Sequence, residues 1–233
     1  MLEICGTPDE AVSCITDGST VMIGGFGDAG QPVELIEALL NSTKVSDLTL
    51  VSNNAGSGDI GLAALIGAGR VSRIICSFPR QPDSYLFDEK YRAGEIELEL
   101  VPQGNLAERI RAAGAGIGAF FTPTGYGTPL AKGKEVRELD GRFQVLEYPI
   151  RADFALVKCH RSDRMGNLVY RKTARNFGPI MAAAAHTTIV QTDELLEIGD
   201  LDPEAIVTPS IYVNRLVEVP PLSRQQHLAQ KES

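Results

Sequence analysis

Ser19-Thr20-Val21-Met22-Ile23-Gly24-Gly25-Phe26-Gly27-Asp28-Ala29-Gly30-Gln31-Pro32 sets a β-rich run against a glycine loop, and Pro32 opens a segment with Val33, Leu35, Ile36, Leu39 and Leu40 on one face. An apolar run, a glycine turn and a 3.6-residue period predict strand, loop and helix. Upstream, Thr7-Pro8-Asp9-Glu10 has capping-box spacing with proline at the first helical position, predicting a helix that ends at Asp17-Gly18. Downstream the alternation continues: strand 48–52, helix 60–66, strand 71–77, helix 84–93, strand 96–101 and helix 106–113. Such βαβα order predicts an α/β fold, an open and mainly parallel sheet with helices on both faces.

Residues 114–133 are glycine-rich without a period and read as a long functional loop. Asp140-Gly141 between 135–139 and 142–147 signals a β-hairpin, expected at the margin of the sheet. Strands near 154–158, 168–170, 188–191 and 216–219 and a helix at 180–185 complete a single domain over 1–219, with 220–233 a polar tail expected to fray.

The chain has 233 residues, 43% hydrophobic and 22% charged, enough for one sizeable core. A formal net charge of −8 argues against a nucleic-acid partner, which needs clustered Lys and Arg. The apolar runs are far shorter than a bilayer span, so no membrane partner is expected, and the first residues lack a basic stretch followed by a long apolar one, so a cytoplasmic location is expected. Cys5, Cys14, Cys76 and Cys159 have no C-x-x-C spacing and read as buried, reduced thiols. His160, His186 and His227 are scattered, so no metal site is expected.

Gly25-x-Gly27-x-x-Gly30 matches the dinucleotide fingerprint, but the second strand ends Val51-Ser52-Asn53-Asn54-Ala55-Gly56 with no carboxylate for a ribose, which argues against NAD. Two readings of the loop stay open. Backbone N–H groups of Gly24, Gly25, Phe26 and Gly27 face an anion or thioester at a helix N-terminus, or the glycines only let helix pack on strand.

Asp17-Gly18, Val21-Met22-Ile23, Gly24-Gly25-Phe26, Gly30 and Pro32, in this spacing, resemble the signature of family I CoA-transferases. The resemblance continues through Ser52-Asn53-Asn54-Ala55-Gly56, Cys76-Ser77-Phe78-Pro79-Arg80-Gln81, Val101-Pro102-Gln103-Gly104, Leu106 to Arg111, Phe121 to Thr128, Ala174-Arg175-Asn176-Phe177 and Ile206-Val207-Thr208-Pro209, nearly the whole chain except the tail. It implies the family's open α/β fold and transfer of CoA between carboxylic acids, here from succinyl-CoA to a 3-oxoacid such as 3-oxoadipate, with the CoA thioester as substrate and no cofactor.

In that family a Glu carboxylate forms first a mixed anhydride and then a glutamyl-CoA thioester. The resemblance places that Glu in a Ser-Glu-Asn-Gly motif of a B-type partner chain, and this chain has no such tetrapeptide. It implies an A-type subunit in an A–B hetero-oligomer. Glu34 and Glu108, both on predicted helices, are not read as nucleophiles, and Glu108, beside Arg109 and Arg111, reads as a surface charge.

By the same resemblance Gln103, just past a strand end, donates to the reacting carbonyl; the alternative is a loop-fixing glutamine. Asn53 and Asn54 stand where B-type chains carry the nucleophile motif, and read equally as substrate donors or turn formers. Arg80 is expected at the same sheet edge, either reading the distal carboxylate of a diacid or lying solvated on the surface. Two other functions stay open: an A-type subunit for short-chain acids such as acetate or acetoacetate, and a noncatalytic CoA-thioester or sugar-phosphate binder on the same fold.

Overall fold

The computed structural model describes residues 2–220. Strands are β1 (Glu3–Cys5), β2 (Thr20–Ile23), β3 (Leu48–Val51), β4 (Val71–Cys76), β5 (Glu97–Leu100), β6 (Phe120–Thr122), β7 (Val136–Leu139), β8 (Arg142–Glu147), β9 (Ala152–Cys159), β10 (Arg161–Asp163), β11 (Leu168–Val169), β12 (Ala185–Thr192), β13 (Leu195–Leu196) and β14 (Arg215–Glu218). Helices are α1 (Pro8–Val12), α2 (Val33–Ser42), α3 (Leu62–Gly67), α4 (Tyr85–Arg92), α5 (Gln103–Gly114) and α6 (Gly178–Ala184).

Eight strands form one sheet in the order β1-β14-β12-β9-β2-β3-β4-β5, and every pairing in it is parallel. Alternate strand residues serve two cores, as expected for a sheet covered on both faces. Val21, Ile23, Leu50, Ile74, Leu156 and Ile189 meet the helices α1 to α4, while Met22, Val51, Ile75, Val157 and Val190 meet α5 and α6. Leu35, Ile36 and Leu39 of α2 are fully buried, each contributing about 1.5–3 kcal/mol. The chain order reverses between β2 and β9, which opens a crevice at the carboxyl ends of the strands there.

Several expectations are corrected. Helix α1 stops at Val12 rather than at Asp17-Gly18, because Ser13 turns its N–H and its hydroxyl onto Glu10 O and tightens the last turn. Thr7 Oγ1 does accept from Glu10 N, but the Glu10 carboxylate accepts from Gly6 N, outside the box geometry. The glycine-rich 114–133 is not all loop: it contains β6 and a 3₁₀ turn at Pro129–Ala131.

The hairpin forms, with Asp140 and Gly141 at φ 51° and 73° as a type I′ turn requires. It does not lie on the margin of the main sheet. Strands β6, β8 and β7 make a separate antiparallel sheet, held to α5 through Glu147. The polar tail read at 220–233 lies, from 221 on, outside the described residues.

Candidate active site

The carboxyl ends of β2, β3, β4 and β5 deliver the site. After β3, Asn53 is 4% exposed, and its Oδ1 accepts from Gln103 Nε2 at 2.7 Å and from Ser77 Oγ at 2.8 Å. Ser77 Oγ also lies 3.0 Å from Asn53 O, so β3 and β4 are tied at the point where both leave the sheet. With its oxygen doubly engaged, Asn53 turns to a ligand only as a donor, through Nδ2. Asn54 instead accepts from Gly56 N at 2.8 Å, the Asx-turn arrangement.

Gln103 is the first residue of α5, with Pro102 before it, and not a residue of the loop ahead of the helix. One Nε2 proton goes to Asn53, leaving the second for a ligand. Phe26, Gly27, Asn53, Ser77, Phe78, Gln81 and Gln103 line a cavity of about 400 Å³. No carboxylate is among these residues, and the rings of Phe26 and Phe78 are 51% and 58% exposed.

Of the four backbone N–H groups expected to face a ligand, three turn inward to the protein, and the fourth, that of Gly27, belongs to a residue lining the cavity. Gly24 N donates to Leu156 O, Gly25 N to Asn176 Oδ1, and Phe26 N to Ala29 O, so these three donors are consumed within the protein. Phe26 and Ala29 close a tight turn that holds the Phe26 ring out over the cavity. Asn176 clamps the loop from the far half of the chain, its Nδ2 donating to Ala29 O and Thr173 O and its Oδ1 accepting also from Phe177 N. Gly30 has φ +76°, and a Cβ there would overlap Ala174 O, so only glycine lets the loop meet this segment.

The remaining candidates lie elsewhere. Arg80 does not line the cavity: its Nε pairs with Asp88 Oδ1 at 2.7 Å, with the side chain 58% exposed. Glu108 pairs with Arg111 on an exposed helix face, and Glu34 accepts from Gln191 Nε2. Cys76 and Cys159 are buried and their thiols are pushed up to about 12 by desolvation, which makes them inert at neutral pH. Among the described residues the one group with metal-like spacing is Glu3, Cys5 and Glu10, and Arg215 already holds Glu3 there.

Asn176 and Ser77 are positioning residues that reading the sequence does not single out. Their only trace there is membership of motifs, because their partners are 151 and 24 residues away.

A family profile described as coenzyme A transferase matches residues 6–219. The chain belongs to the coenzyme A transferase family. It is 68% identical over 209 residues to the A-type subunit of 3-oxoadipate CoA-transferase from Pseudomonas putida, covering 90% of each chain. It is 62% identical over 213 residues to the protein of the same name from Acinetobacter baylyi, covering 91% of this chain and 93% of that one. The apoenzyme of an acyl-CoA transferase from Escherichia coli O157:H7 superposes with a TM-score of 0.84 at 22% identity, over 96% of this chain and 48% of that one. This CoA-transferase chain thus spans about half the length of that solved relative. As a member of the CoA-transferase family it offers donors at the carboxyl edge of its sheet. No helix among the described residues is long and apolar enough to cross a membrane.

Proposed function

We propose that the chain is the A-type half of a cytoplasmic A–B enzyme that moves CoA from succinyl-CoA to 3-oxoadipate, with the nucleophilic Glu on the B-type partner. The observation that carries this reading is a cavity lined by three amide side chains, Asn53, Gln81 and Gln103, and by no carboxylate. It has donors for an oxyanion and no carboxylate to attack with; the Ser77 hydroxyl is spent on Asn53. The substrate assignment rests on the two relatives of the same name.

In the proposed route the partner's carboxylate adds to the thioester carbonyl, and CoA thiolate leaves to give an anhydride. The thiolate then attacks the glutamyl carbonyl, expelling succinate. The 3-oxoacid carboxylate repeats the sequence in reverse and departs as its CoA thioester. At each tetrahedral stage the carbonyl oxygen gains negative charge, and the free Nε2 proton of Gln103 stabilises it; one such donor contributes about 3 kcal/mol. The thioester enters as substrate, and no cofactor is invoked. The exposed rings of Phe26 and Phe78, together with Ile60 at 70% exposure ahead of α3, fit a rim that a partner chain covers.

The test is coexpression with a B-type partner chain, then assay with succinyl-CoA or acetyl-CoA against 3-oxoadipate, acetoacetate and acetate. The chain alone is expected to be inactive and the complex to have its highest kcat/KM with succinyl-CoA and 3-oxoadipate. Turnover by the partner-free chain defeats the placement of the nucleophile. Preference for acetate or acetoacetate moves the assignment to the short-chain enzymes.

A further inference from the structure

Phe26 stands at the junction of three cavities, and the Gln103 site accounts for two of them. A second cavity of about 230 Å³ shares Phe26 and Gln103 with the first and adds Asn176, Phe177 and Ile180. A third, of about 710 Å³, lies across the Phe26 ring and is lined by Ala29, Lys172, Thr173, Arg175 and Asn176. Its two charged lining residues, Lys172 and Arg175, are both cationic, in a chain whose net charge is −8.

Lys172 and Arg175 bound a 3₁₀ turn, Lys172–Arg175, and neither has a carboxylate within ion-pair distance among the described residues. Lys172 has φ 51°, a left-handed conformation that is strained for a residue other than glycine and that collects at ligand clamps. The turn is also stiff. Asn176 ties it to the glycine loop through Thr173 O and Ala29 O, and Gly30 packs directly on Ala174. A rigid wall presenting one ammonium and one guanidinium to a roomy cavity is built for a polyanion, the guanidinium fork matching phosphate oxygens.

The size of the cavity decides which anion. Sites of about 300–1,000 Å³ hold drug-sized ligands, more than a six-carbon diacid fills. A CoA thioester carries its phosphates on a long pantetheine arm, away from the reacting carbonyl. We propose that Lys172 and Arg175 bind the phosphate groups of the CoA moiety, with the Phe26 ring between them and the carbonyl at Gln103. This rests on the CoA-transferase reading above.

The test uses the A–B complex carrying Lys172→Gln with Arg175→Gln, and two probes followed by calorimetry: CoA, and pantetheine, which has the arm and thiol but no phosphate. The Kd for CoA is expected to rise roughly 10- to 100-fold, as for the loss of charged hydrogen bonds, while that for pantetheine stays unchanged. The CoA affinity should also lose much of its salt dependence. The pair Lys172→Arg with Arg175→Lys keeps both positive charges and is expected to retain most of the salt dependence of CoA binding, which separates charge from folding. An unchanged Kd for CoA, or equal losses for both probes, overturns the proposal. So does a rise in KM for 3-oxoadipate over acetoacetate with CoA affinity intact, which would give the pair to the distal carboxylate of the acid. If the wild-type complex binds CoA and transfers nothing, the functional reading fails and the binding data still decide this one.

Discussion

Gln103 gives one of its amide protons to Asn53 and keeps the other for whatever enters the cavity. In the proposed route that second proton meets charge that develops only during reaction, so Gln103→Ala in the A–B complex should lower kcat by roughly 100-fold or more and change KM for the acid much less. Steady-state kinetics over a range of acid concentrations checks this, and a loss confined to thermal stability would return Gln103 to a loop-fixing role. Arg80 offers the opposite case. Its guanidinium is paired with Asp88 on the exposed side of α4, where such pairs contribute less than about 1 kcal/mol. Arg80→Ala is therefore expected to shift the KM ratio of 3-oxoadipate to acetoacetate by less than about twofold, against the roughly 10- to 100-fold expected had it held the distal carboxylate. The sequence showed both residues just past strand ends; it could not show that one side chain bonds the buried Asn53 and the other meets a helix eight residues on.

At the scale of elements, the small antiparallel sheet depends on one buried carboxylate. Glu147, 3% exposed at the end of β8, accepts from Lys134 Nζ at 2.7 Å and from Asn105 Nδ2 at 3.2 Å, with Arg109 Nε at 3.7 Å. Arg109 in turn bonds Glu99 of β5 at 2.7 Å and Tyr148 O. Removing Glu147 takes the partner of Lys134 and one acceptor of Asn105 while Arg109 keeps Glu99, so Glu147→Ala should destabilise the protein by about 1–3 kcal/mol, read from the urea midpoint, while Glu108→Ala on the same helix as Arg109 costs less than about 1 kcal/mol. In the sequence Arg109 and Arg111 look alike, as helix-surface cations beside Glu108. Only the docking of β8 makes Arg109 largely buried, with its side chain 12% exposed, and leaves Arg111 on the surface.

For the molecule as a whole, burial of thiols and one phenol gives stability a direction with pH. Cys76 and Cys159 are raised from 9.0 to about 12, and Tyr170 is raised as well, all by desolvation first. Groups whose folded-state pKa lies above the unfolded value hold their protons more tightly when folded. Their contribution is complete below about pH 9 and is lost as pH rises through the folded values. Urea midpoints measured from pH 8 to pH 11 should therefore fall steadily, and Cys76→Ser or Cys159→Ser should flatten part of the fall. A midpoint that stays level across that range would contradict the burial of these groups.

The succession of apolar runs, glycine turns and amphipathic periods determined the α/β alternation by itself, because backbone pattern and side-chain period are local properties. The same is true of the Asp140-Gly141 turn, whose positive φ values belong to its own residues. The sequence pattern also pointed to the ends of β2 to β5, where the candidate cavity lies, since glycine, asparagine and glutamine cluster where strands stop. Tertiary structure alone decided three matters: that the hairpin leaves the main sheet, that the N–H groups of Gly24, Gly25 and Phe26 are spent within the protein, and that Lys172 and Arg175 share a cavity with Phe26. Each depends on a contact between residues far beyond one element, 151 apart for Asn176 with Gly25 and 42 apart for Glu147 with Asn105. Contacts of that kind are set by how the two halves of the sheet meet between β2 and β9, and no local window of residues contains them.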